Sequence, residues 1–115
     1  MKPIRLVLPL VIAVLSAPTL AADAEAGLLA IKALGGVNGQ ALACAETGVA
    51  ARAKQLMLAH APKTQRFGST YEEATQEAFN AQTRSGNACA STTELTARLN
   101  QLALQLSETL PVAAK

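Results

Sequence analysis

The chain has 115 residues, a formal net charge of +2, 3% aromatic residues, two cysteines and one histidine. Such balanced charge and so few rings lack the basic footprint and stacking surface of nucleic-acid binders. A lone histidine with no Cys-X-X-Cys-His run excludes covalent haem attachment and argues against a Ser-His-Asp hydrolase.

Residues 1–21 read as a secretory signal peptide. Lys2 and Arg5 make the positive start, Leu6 to Leu15 an apolar run broken once by Pro9, and Ser16 to Ala21 the cleavage region. Cleavage is expected after Ala21 or Ala22, with Ala24 as a further position. The apolar run is too short to span a bilayer, which needs roughly 20 residues. No cysteine follows it directly, so a lipoprotein anchor is not expected. Residues 22–115 then form a single small helical domain with no stable membrane span, periplasmic or secreted. Of the ten basic residues, Lys2 and Arg5 leave with the signal, so eight remain against eight acidic ones.

A short first helix is expected from Ala22 to Leu34, with Leu28, Ile31 and Leu34 on its apolar edge. Gly35-Gly36 would end it, and Asn38 would cap the next. Gln40 to Ala61 carries Leu42, Ala45, Val49, Ala53, Leu56 and His60 at steps of three and four, the helix period. Pro62 stops that helix. After a connection, Ser69-Thr70-Tyr71-Glu72 forms a capping box, and Thr70 with Glu73 offers a second. The helix it opens runs to about Arg84, where Ser85-Gly86 supplies a left-handed stop. Ser91-Thr92-Thr93-Glu94 caps a last helix ending before Pro111. Leu95, Leu99, Leu102 and Leu106 form its core seam, while Leu104 and Leu110 fall outside it. No segment alternates apolar and polar residues as a strand does.

The fold class expected is all-α: three to four helices around a disulfide-closed antiparallel helical hairpin. At about 1.5 Å per residue, Cys44 and Arg84 both stand some 22–26 Å from the Pro62 turn, which brings Cys44 level with Cys89. Two cysteines in an exported chain predict one bridge, Cys44–Cys89. Neither lies in a Cys-X-X-Cys redox motif, so the bridge is structural.

For function the sequence offers little chemistry. His60 near a helix C-terminus is explained by the helix dipole. A weak metal site could combine His60 with Glu72 and Glu73, although the dipole also accounts for acidic residues in a first turn. Met57 with His60 could suit copper, yet Met57 is more often core filler. Lys63, Arg66, Phe67 and Tyr71 concentrate two cations and two of the three rings near one turn, as interface anchors do. Phe67 could equally staple the following helix. The expectation is a small envelope accessory protein, without catalysis or cofactor, acting on an unidentified envelope protein. The alternative is a small metal- or ligand-binding bundle.

Overall fold

The computed structural model describes Pro3 and residues 20–112, so the expected signal peptide lies almost wholly outside the described residues. Those residues form four helices and no strand: α1 (Leu20–Ala43), α2 (Thr47–His60), α3 (Gln65–Ser85) and α4 (Thr92–Thr109). The fold is all-α, as the apolar periodicity predicts.

The first two helices expected from sequence divide at a different place. Gly35-Gly36 does not end α1, and Asn38 does not cap a new helix; α1 continues through both. The reason is packing. A Cβ on Gly35 would lie 2.6 Å from the Tyr71 carbonyl oxygen and 2.8 Å from Ala74 Cβ, and one on Gly39 would run into the Thr75 carbonyl. Each glycine costs about 1 kcal/mol of helix propensity, and each lets α3 approach α1 backbone to backbone. Asn38, buried in the same turn, donates from Nδ2 to Thr75 Oγ1 at 3.2 Å, and Thr75 donates onward to the Tyr71 carbonyl at 2.8 Å.

The break falls at Cys44-Ala45-Glu46. Ala45 is left-handed, with φ 57°. The Glu46 N–H donates to the Ala41 carbonyl at 2.8 Å and the Ala45 N–H to the Leu42 carbonyl at 3.4 Å. This doubly bonded helix terminus usually recruits glycine at the position Ala45 holds.

α3 begins four residues before the expected Ser69 box. Thr64 is its cap, accepting the Phe67 N–H at 3.4 Å. The earlier start places Phe67 in the first turn, where its ring is buried. Gly86, at φ 66°, ends α3 as expected, and Ser91 Oγ caps α4 by accepting the Glu94 N–H at 3.1 Å.

α1 is the hub. Helices α2, α3 and α4 each pack on it, and α2 and α4 also pack on each other. Gly35 against Ala74 and Gly39 against Ala78 make α3 parallel to α1. Gly27 against Leu110, and the Arg98–Gln40 hydrogen bond, make α4 antiparallel to it. α2 and α3 follow each other in the chain but pack on α1 rather than on each other, so the disulfide closes a unit organised on α1. Ile31, Leu34, Leu95, Leu99 and Leu106 are fully enclosed, and the predicted leucine seam is the buried face of α4.

Cys44 and Cys89 form a disulfide with a Cα–Cα distance of 5.9 Å. It ties the end of α1 to the connection between α3 and α4. Closing a loop of 45 residues stabilises the fold by about 4 kcal/mol in the chain-entropy account. No described helix is long and apolar enough to cross a membrane.

Candidate functional site

The residues singled out around the Pro62 turn do not share one role. Phe67 is 7% exposed and belongs to the core, so its ring is not presented as a partner anchor. It lies three residues after the Thr64 cap, in the first turn of α3, and packs in the core cluster. Lys63 is exposed and its Nζ donates to the Leu58 carbonyl at 2.9 Å, satisfying a carbonyl in the last turn of α2. Arg66 is exposed, with Nη2 4.0 Å from Glu25 Oε2, a pair worth little in stability. Tyr71 is half-buried against the core, and its hydroxyl has no hydrogen-bond partner. Burial pushes its pKa up to about 12.

His60, Glu72 and Glu73 are not gathered. His60 Nδ1 stands 2.7 Å from the Leu110 carbonyl oxygen. A carbonyl only accepts, so Nδ1 carries the proton and His60 ties the end of α2 to the end of α4. Glu72 and Glu73 are exposed on α3. Among the described residues no group of three or more His, Cys, Asp or Glu side chains is placed to hold a metal ion.

The open places among the described residues include two whose linings combine apolar and polar groups. One is the face shared by α3, α1 and α4. Along α1 it presents Ala26, Leu29, Ala33, Gly36 and Gln40, at steps of three, four, three and four. Leu29 is 63% exposed. A Cβ on Gly36 would meet nothing within 4 Å. A hollow of about 380 Å³ lies there, floored by Ala33, Gly36, Val37 and Leu102 and rimmed by Arg98 and Gln101. Small residues on the floor leave this volume unfilled. The spacing is visible in the sequence, but only a helix that runs through Gly35-Gly36 aligns it on one stripe.

The other is a cleft of about 290 Å³ where α1, α2 and α3 meet, lined by Asn38, Leu42, Ala50, Ala51, Lys54 and Tyr71. Asn38 is only 8% exposed. The cleft therefore combines a buried amide, a half-buried phenol and an exposed ammonium over an apolar wall. Compared with protein-family models, curated proteins and solved structures, the chain matches none.

Proposed function

We propose that this protein is an exported accessory protein, periplasmic or secreted, that acts through protein contacts made by the α3–α1–α4 face rather than by catalysis. The observation that carries this reading is the open stripe on α1, where an exposed leucine stands beside a hollow floored by alanine, glycine and valine. Helices present small residues where another element is to approach closely, and apolar surface beside a hollow is what association covers. Export is supported by the basic, apolar and small-residue order of residues 1–21, and a disulfide suits an oxidising compartment.

The test is position-specific photocrosslinking in cells producing the full chain. A crosslinking residue at Ala33 should give defined protein adducts, and one at exposed Ala59 on α2 should not. Equal adducts from both positions, or none from Ala33, would refute the assignment of this face.

A second reading rests on the Asn38–Tyr71 cleft. A buried phenol without a partner is uncommon in native proteins, and Tyr71 is the one such side chain among the described residues. With Lys54 at the same cleft, it would suit a small amphiphile with an anionic head. Octanoate titrated into wild type and Lys54→Gln, followed by NMR, separates this reading: saturable shifts around Leu42 and Tyr71 that weaken in the variant support it, and their absence removes it.

A further inference from the structure

Resting on the reading that the α3–α1–α4 face is a contact surface, we infer that its partner is a second copy of this chain, laid antiparallel across α1 about a two-fold axis near Ala33. The face is complementary to itself about that point. Leu29 lies one turn before Ala33 and is exposed. Gly36 lies about one turn after it, beside the hollow. In an antiparallel pair each Leu29 meets the partner copy's hollow, a knob entering a hole on both sides of the axis.

The charges follow the same symmetry. α3 is parallel to α1, with Gly35 facing Ala74 and Gly39 facing Ala78. Arg66 therefore stands level with Gly27, near Glu25, and Glu77 stands level with Asn38. Two-fold rotation near Ala33 brings Arg66 of one copy over Glu77 of the other. On the opposite flank α4 runs antiparallel, with Arg98 level with Gln40 and Leu110 level with Gly27. The same rotation brings Gln101 over Glu108, so the α3 flank pairs opposite charges and the α4 flank sets an amide against a carboxylate. Arg66, Glu77, Arg98 and Glu108 are all exposed, and Glu77 and Glu108 take part in no ion pair among the described residues. A C2 interface must be self-complementary in this way.

The area is adequate. From Ala26 to Gln40 the stripe is roughly 21 Å long, and three helices side by side span about 25–30 Å. Both copies together would cover on the order of 1,100 Å², just past the ~1,000 Å² that a specific interface needs.

Two measurements on the full, oxidised chain test this. Sedimentation over a wide concentration series should show a monomer–dimer equilibrium, weakened about 10-fold or more by Leu29→Glu, since burying a leucine side chain is lost. Arg66→Glu alone should weaken it, and Arg66→Glu with Glu77→Arg should restore it. Ala33→Cys should form an intermolecular disulfide that Ala59→Cys does not, because only position 33 lies near the axis. Circular dichroism confirms equal helicity of the variants. A wild type that stays monomeric at every concentration, with no preferential linking at position 33, overturns the second copy as partner. Adducts from Ala33 to a different protein in cells, found together with that monomer, would leave the contact face standing and replace only its occupant.

Discussion

Gly39 of α1 lies directly against the backbone carbonyl of Thr75 on α3, with no room for a Cβ between them. Gly36, three residues earlier on the same helix, has open space where its Cβ would be. The two glycines therefore answer differently to one methyl group. Gly39→Ala should lower stability by about 1–3 kcal/mol, because α3 must shift away from α1. Gly36→Ala should raise it by about 0.5–1 kcal/mol through helix propensity. Urea denaturation of both variants checks the sign of each.

Ala45 occupies a left-handed position that costs an L-residue about 1–2 kcal/mol. Glycine adopts it freely but loses more chain entropy on folding. Ala45→Gly should leave a net gain of about 0.5–1 kcal/mol, read as a higher urea midpoint at unchanged slope. A loss would show that the terminus is held by its hydrogen bonds and the neighbouring bridge without strain at Ala45.

Leu99 is enclosed on the α4 seam, whereas Leu104 is 68% exposed. Leu99→Ala should cost about 2–5 kcal/mol. Leu104→Ala should stay within about 0.5 kcal/mol of wild type. Thermal or urea melts of the two variants, run side by side, decide whether the seam is assigned to the correct face.

Tyr71 is the one tyrosine of the chain, so the phenolate absorbance reports it alone. Its pKa is 10.0 when unperturbed and is pushed up to about 12 by burial in the folded protein. The folded state thus holds the proton more tightly than the unfolded state. The resulting stability is fully present below pH 10 and is lost as pH rises from about 10 to 12. Spectrophotometric titration should give a midpoint near 12 in the native protein and near 10 in urea. Tyr71→Phe should remove this part of the alkaline loss of stability, and a native midpoint at 10 would place the hydroxyl in solvent.

The helical class, the leucine seam, the Pro62 turn and the Gly86 and Ser91 signals were legible because each rests on neighbours within a turn or two, and the cysteine pairing because the chain has two cysteines and so one possible bridge. The leucines repeat at helix spacing, Ser91 and Glu94 are three apart, and Gly86 supplies its own backbone angle. The continuity of α1 was not legible. Gly35-Gly36 looks like a stop locally, and only α3, more than thirty residues later, gives Gly35 and Gly39 their reason. Phe67 was ambiguous for the same cause. A ring beside a turn can face solvent or the core, and the burial of Phe67 follows from the packing of the whole fold, not from the residues next to it. The open stripe on α1 was hidden behind the misplaced break, since Leu29 and Gly36 fall on one helix only when α1 runs through.

The disulfide encloses all of α2, α3 and the exposed Pro62-Lys63-Thr64 turn within one covalent ring. A single proteolytic cut in that turn therefore opens the ring without releasing either part. The product is a two-chain molecule, one chain carrying α1 and α2 and the other carrying α3 and α4, still joined between Cys44 and Cys89. Such a nicked form should migrate as one species before reduction and as two after it, and it retains every pair of packed helices that the intact chain brings together.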